Sequence, residues 1–219
     1  EGDYAHDGEL WKFPTATSVP KPLQQPHPRI WIAARDPGTY DWAVGLGANI
    51  MATPLSQPMA EVANLASKFN KAVADHPEVP RPLFMMQRRA GVFDKSSDWE
   101  TFVRYSMDYG RYFENLFQNI GTVTNGFPDA VPFEAVKGRE NYNPENIRAN
   151  MLFGTPDEVI EKLEAYEAAG VDQLCLGLNY NLPFELQKRT LELFAQEIIP
   201  VFEKRERERA AAKPFEAAQ

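Results

Sequence analysis

Between residues 30 and 208 the chain repeats one pattern four times: a short apolar run, a turn or capping signal, then a stretch with helical spacing of apolar residues. The runs fall at 30–34 (IWIAA), 49–53, 83–92 (opening with Leu83-Phe84-Met85-Met86) and 171–178. Apolar runs this short, without polar alternation, predict strands buried on both faces rather than helices. Strands joined in turn by helices form a parallel sheet with right-handed crossovers, so the pattern restricts the chain to the α/β class. Four units cannot close an eight-stranded barrel, and a four-stranded half leaves two edges open to pairing. The expectation is a partial, half barrel of four adjacent strands in sequence order, with a further polypeptide covering the edges.

Local signals fix the helices. Asp36 followed by Pro37 predicts an N-cap and first helical position, with the helix running to Leu46 and stopped by Gly47. After Pro58-Met59, a second helix carries Val62, Leu65, Ala66, Phe69 and Val73 on one face. Ser97 and Glu100 have capping-box spacing ahead of a long aromatic helix. Thr155-Pro156-Asp157-Glu158 is a second such box, opening a helix to Ala169 that Gly170 ends, with Val159, Ile160, Leu163 and Tyr166 on one face. The last helix spans 183–208, with Pro200 as a kink or break. Prolines at 14, 20, 22, 26 and 28 predict an extended segment over 1–28. Residues 121–142 form a Gly/Pro/Asn-rich excursion of the kind used as lids, 29–208 the half barrel, and 209–219 a flexible tail.

Charge and missing motifs narrow the chemistry. A net charge of −8 argues against a nucleic-acid footprint and leaves a small-molecule substrate. No apolar run approaches the roughly 20 residues of a membrane span and no secretory pattern opens the chain, so a cytoplasmic location is expected. The single Cys175 has no disulfide partner and reads as a buried core thiol. His6, His27 and His76 lack metal-ligand spacing. Trp11, Phe13 and Trp31 read as packing residues. Dinucleotide, phosphate-loop and nucleophile-elbow signatures are missing, which disfavours Rossmann dehydrogenases, nucleotide hydrolases and serine hydrolases.

Three segments in order, WKFPTATSVPKPLQQPHPRIWIAARDPGTYDWAV, FGTPDEVIEKLEAYEAAGVDQLCLGLN and LELFAQEIIP, resemble the second half of the bacterial-luciferase-like flavin-dependent monooxygenases, a TIM-barrel family. The resemblance covers roughly residues 8–202. It implies an oxidoreductase that uses reduced FMN and O2 on an organic substrate, served by a flavin reductase, with the N-terminal half of the barrel supplied from outside this chain. A deazaflavin-dependent oxidoreductase of the same fold, and a noncatalytic, partner-dependent flavin-binding half barrel, are the alternatives.

By the same resemblance, Ala34, Arg35, Asp36 and Thr39 fall where the family's strand-end turn meets the flavin and its phosphate. A helix N-terminus at the C-terminal end of a barrel strand suits an anion on physical grounds as well. Each residue also has a plain reading. Arg35 pairs with a rim carboxylate, Asp36 is an N-cap whose charge repels phosphate, and Thr39 is a surface threonine. Arg88 and Arg89 are adjacent on the third strand and must point to opposite faces, so one of them reaches the barrel mouth. Arg89 and Asn179 are the candidate substrate-pocket residues, with Tyr180 beside them. Against that stand a rim arginine and a turn-forming asparagine. The residue types that would carry catalysis are not identified by the sequence.

Overall fold

The computed structural model describes residues 2–118 and 120–212. It divides into two units, Glu1–Ile30 and Trp31–Gln219.

In the first unit, β1 (Tyr4–Asp7) pairs antiparallel with β2 (Lys12–Ala16), where the sequence predicts only an extended chain. The amide of Gly8 donates to the Trp11 carbonyl and closes the turn, at 2.9 Å. Pro14 is tolerated in β2 because that strand pairs along one edge only. Trp11 and Phe13 are 74% and 41% exposed, so the core role expected of them is corrected, and Phe13 meets the rings of Tyr4 and His6 within the ribbon.

The second unit begins with the expected alternation. In chain order it runs β3 (Trp31–Ala33), α1 (Pro37–Gly45), β4 (Asn49–Ala52), α2 (Met59–Asp75), β5 (Phe84–Val92) and α3 (Trp99–Gln118). A small hairpin, β6 (Val123–Thr124) with β7 (Phe127–Pro128), leads to the short helices α4 (Phe133–Val136) and α5 (Pro144–Asn150). Then come β8 (Leu152–Gly154), α6 (Pro156–Ala168), β9 (Gln173–Gly177), α7 (Phe184–Leu193) and α8 (Ile199–Ala212). All sheet pairings in this core are parallel: β3 with β4, β4 with β5, and β5 with β9. The four expected strands are therefore adjacent in sequence order. A fifth, β8, pairs with the end of β5 through Ala90↔Leu152, Gly91↔Phe153 and Val92↔Gly154. Residues 213–219, most of the expected tail, lie outside the described residues, and α8 continues beyond position 208.

The caps explain most helix boundaries. The capping box at Thr155 and Glu158 is present, with the Thr155 amide donating to the Glu158 carboxylate at 2.7 Å. The box expected at Ser97 and Glu100 is not formed. A 3₁₀ turn at Ser96–Asp98 starts α3 instead, and the Ser97 hydroxyl donates to the Asp98 carboxylate at 3.3 Å. Before Pro200 the backbone widens into a π-helical turn, Phe194–Ile198, which accommodates a residue that lacks an amide hydrogen.

His76 closes α2 and ties it to α1. Its Nε2 lies 2.9 Å from Asp41, and its Nδ1 is 3.4 Å from Glu78. The hydrogen bond to Asp41, with Glu78 assisting, raises the imidazole pKa above its ordinary value. A folded pKa above the unfolded one means that the pair stabilises fully below the unfolded value and is lost as pH rises through the folded value. Titration followed by NMR will give His76 a pKa above that of a free imidazole, and Asp41→Asn will lower it.

Side-chain alternation sorts the two faces of the sheet. Ile50, Ala52, Phe84, Met86, Ala90 and Val92 face α1, α2 and α6 in one continuous core. The alternate residues occupy the opposite face, where Ala33, Met51, Gln173 and Cys175 are exposed. A parallel sheet normally has both faces covered. Here the helices cover one face, and α3 and α5 reach only the strand ends of the other, as in half a barrel. The buried-thiol reading of Cys175 is thereby corrected: Leu174 and Leu176 pack under helices while Cys175 points to the open face.

Candidate active-site cleft

A cleft of about 440 Å³ lies at the C-terminal ends of β4, β5 and β9, under α3. Its floor is Gln87 and Arg89 from β5 with Thr53 after β4, its far side Asn179 after β9, and its roof Tyr109 and Phe113 from α3. Three glycines let these parts approach. A Cβ on Gly177 would overlap the Gln87 amide, and one on Gly91 would overlap the Phe102 ring of α3. A Cβ on Gly110 would lie 2.9 Å from the Tyr142 hydroxyl.

Parity along β5 decides the fate of the two arginines. Arg89 enters the cleft, half-buried, and its Nη1 donates to the Ser106 carbonyl at 3.1 Å and hydroxyl at 2.8 Å. Its guanidinium carbon stands 5.1 Å from the Tyr109 ring centroid, in cation–π range. Burial pushes its pKa down, opposed by the phenols of Tyr109, Tyr180 and Tyr142. Arg88 takes the other face, 1% exposed, where its Nε donates to the Tyr166 hydroxyl at 2.6 Å. Its Nη1 donates to the carbonyls of Leu55 at 2.6 Å and Gln57 at 2.9 Å. That grip fixes the loop after β4, where Leu55 has φ of 52°. Thr53 reinforces it, its hydroxyl donating to Gln87 at 3.1 Å and accepting from the Leu55 amide at 3.2 Å.

The residues expected at the cofactor turn and those expected in the substrate pocket lie in two places. Arg89 and Asn179 share the cleft, whereas Ala34, Arg35, Asp36 and Thr39 are not among its lining residues. Asp36 is the N-cap of α1: its carboxylate accepts from the Thr39 amide at 3.0 Å and the Thr39 hydroxyl at 2.6 Å. These bonds lower the Asp36 pKa, the Thr39 hydroxyl contributing most. The Ala34 amide is spent on the Met51 carbonyl at 2.9 Å. Arg35 is exposed, reaching the Thr53 carbonyl at 3.4 Å and Glu61 at 3.8 Å. Of the other candidates, Tyr180 is fully buried and donates to the Ala90 carbonyl at 2.9 Å, and the turn residue with left-handed backbone is Asn181 rather than Asn179.

Sequence reasoning missed the rest of the cleft. Ser106, Tyr109 and Phe113 sit on α3, and Glu114 and Tyr142 close the end of the cleft beyond them. Glu114 is engaged by Arg139 at 2.9 Å and Asn141 at 3.4 Å. Its charge and hydrogen bond, together with burial as the largest cause, raise the Tyr142 pKa. The one available signal was the i, i+4 spacing of Tyr109, Phe113 and Phe117. No cluster of His, Cys, Asp and Glu suited to a metal occurs among the described residues, and no helix among them is long and apolar enough to cross a membrane.

Comparison with known proteins places this geometry. The chain is 37% identical over 202 residues to the oxygenase component of a flavin-dependent trigonelline monooxygenase from Acinetobacter baylyi, covering 92% of this chain and 56% of that protein. It is 24% identical over 219 residues to an FMNH2-dependent dimethylsulfone monooxygenase of Pseudomonas putida, covering 97% and 56%. A solved F420-dependent secondary alcohol dehydrogenase, in complex with an F420-acetone adduct, superposes with a TM-score of 0.64 at 17% identity, over 90% of this chain and 55% of that one, and so shares the fold. The chain thus spans a little over half the length of these relatives. The sequence profile described as luciferase-like monooxygenase matches residues 1–173, and with the 37% identity this shows that the chain belongs to the luciferase-like monooxygenase family.

Proposed function

We propose that this chain forms half of the barrel, and one wall of the active-site cleft, of a flavin-dependent monooxygenase that uses reduced FMN and O2 on a small organic substrate. The observation that supports this reading best is the cleft at the C-terminal strand ends, the face where barrel enzymes build their sites, in a chain of this family. Reduced flavin, when bound, supplies the electrons for oxygen chemistry. The protein's part is to hold cofactor and substrate and to exclude water, which the aromatic roof of the cleft suits. One relative is named as an oxygenase component, which supports a separate reductase as the source of reduced flavin.

The strand-end turn fits the flavin phosphate at Arg35, and it does not fit it at Thr39 as the side chains stand. Pro37 has no amide hydrogen, and both the amide and the hydroxyl of Thr39 donate to the Asp36 carboxylate. An anion already occupies the helix N-terminus. Arg35, exposed and 3.8 Å from Glu61, keeps guanidinium hydrogens for a phosphate. Asp36 and Thr39 shape the turn that presents it, and Ala34 contributes backbone.

Fluorescence titrations with FMN, riboflavin and F420 test the reading. FMN is expected to bind more tightly than riboflavin, and Arg35→Ala to remove about tenfold of that affinity, roughly 1.4 kcal/mol, while leaving riboflavin binding unchanged. Oxygen uptake with photoreduced FMN should depend on added organic substrate once the barrel is completed. Preference for F420 over FMN would move the chain to deazaflavin chemistry, and indifference among the three would remove the cofactor role.

A further inference from the structure

Among the described residues, the cleft contains a cation with no ionic partner. Among the described residues Arg89 bonds only to Ser106, through Nη1, and stacks over the neutral Tyr109 ring. No bond engages its Nε or Nη2 among those residues. The acid that lines the same cleft, Glu114, is held by Arg139 at 2.9 Å and by Asn141. Arginine keeps its proton throughout the physiological range even when burial lowers its pKa. A half-buried guanidinium therefore bears a desolvation cost that only neutral groups offset. Its free N–H fork has the geometry that takes two oxygens of one oxyanion.

The surface beside the fork indicates the rest of the ligand. Tyr109, Phe113 and Phe117 lie one turn apart on α3, with ring centroids separated by 4.9 Å and 5.5 Å. This ladder lines the cleft, and a flat apolar body laid against it gains stacking as well as burial. Opposite it, the amides of Gln87 and Asn179 offer neutral hydrogen bonds, and a volume near 440 Å³ holds a small molecule.

We propose that this corner of the cleft binds the carboxylate of a planar aromatic substrate, with Arg89 holding the oxyanion, Ser106 orienting the guanidinium and the α3 ladder receiving the ring. The proposal rests on the monooxygenase reading and adds the substrate class to it. FMN phosphate is the other oxyanion that the fork could take, so the experiment separates the two.

Benzoate, benzamide and cyclohexanecarboxylate are titrated into the 219-residue chain, whose second unit supplies Arg89, Ser106 and the α3 ladder, with binding followed by calorimetry and by NMR. Benzoate is expected to bind at least about tenfold more tightly than benzamide, a difference set by one charge-assisted contact. It should also bind more tightly than the non-planar acid, with shifts at Arg89, Tyr109 and Asn179. Arg89→Gln should bring benzoate down to the benzamide level, while Arg89→Lys keeps part of the preference. The wild-type shift map decides the matter even if Arg89→Gln fails to fold. Equal binding of benzoate and benzamide, or shifts elsewhere, overturns the proposal. So does an Arg89→Gln variant that loses affinity for FMN but not for riboflavin, which assigns the fork to the cofactor phosphate. FMN titration of the completed barrel keeps the outcomes distinct: flavin binding without the anion preference sinks the substrate class alone, and no flavin binding there sinks the parent reading.

Discussion

Replacing Arg88 by methionine will lower the stability of the second unit by about 2–4 kcal/mol, seen as a fall in the urea midpoint at unchanged m-value. Two large terms oppose each other. Removing a 1%-exposed guanidinium relieves its desolvation cost, which favours the variant. Against that, methionine deserts three partners: the Tyr166 hydroxyl and the carbonyls of Leu55 and Gln57. Each deserted group costs about 1–3 kcal/mol where water cannot replace the bond, and removing one side of a buried polar network is consistently unfavourable. The loop also loses what holds Leu55 at a φ of 52°, a conformation that a branched side chain resists. The loss therefore wins. Tyr166→Phe separates the contributions, because it leaves Arg88 Nε without its acceptor. The double variant should cost less than the sum of the two single changes, a coupling that independent sites do not show. Lysine at position 88 should not rescue, since one ammonium cannot span Tyr166 and the loop in the manner of a planar fork. Additive effects would show that Arg88 and Tyr166 act separately.

The same arginine shows how far the sequence could be read. That Arg88 and Arg89 diverge follows from strand parity, a local rule. Which of them meets the cleft depends on the side taken by α3 and by the loop after β4, and both are tertiary facts. The four main strands were legible because each apolar run is followed by a cap or stop within a few residues. Strand β8 was not, since three residues carry no periodicity and its pairing partner lies some 60 positions earlier. Helix α5 carries a readable signal in Asn143-Pro144: Asn143 accepts from the amides of Glu145 at 2.9 Å and Asn146 at 3.2 Å, and Pro144 takes the first helical position. The hairpin β1–β2 was hidden by Pro14 and by exposed strands without alternation. In the cleft, Ser106 and Tyr142 meet Arg89 and Gly110 only through packing across 17 and 32 positions, which no spacing rule reports. The turn at Asp36 was legible as a cap, and the Thr39 amide and hydroxyl both donate to its carboxylate.

Self-association of the isolated chain is the second large expected effect, and Cys175 makes it measurable. The open face of the sheet exposes Met51 and Cys175, and β3 and β9 each pair on one edge only among the described strands. Unpaired backbone groups beside apolar side chains favour pairing with another chain, whereas a closed barrel has no such edge. Light scattering should therefore give a mass that rises with concentration. Met51→Lys puts a charge on that face without touching the helix-covered core, so it should weaken association by at least about tenfold and leave the urea midpoint of the diluted chain nearly unchanged. Cys175 is the chain's only thiol, so its rate of labelling by a maleimide reports directly whether the face is covered. Labelling should be fast in dilute solution and slow at high concentration, and slow at every concentration when a polypeptide supplying the remaining strands is bound. Met51→Lys should restore fast labelling in the concentrated sample but not disturb labelling in the dilute one. A monomer at all concentrations, labelled at one constant rate, would show that this sheet tolerates an uncovered face and that its edges are not the route by which the barrel is completed.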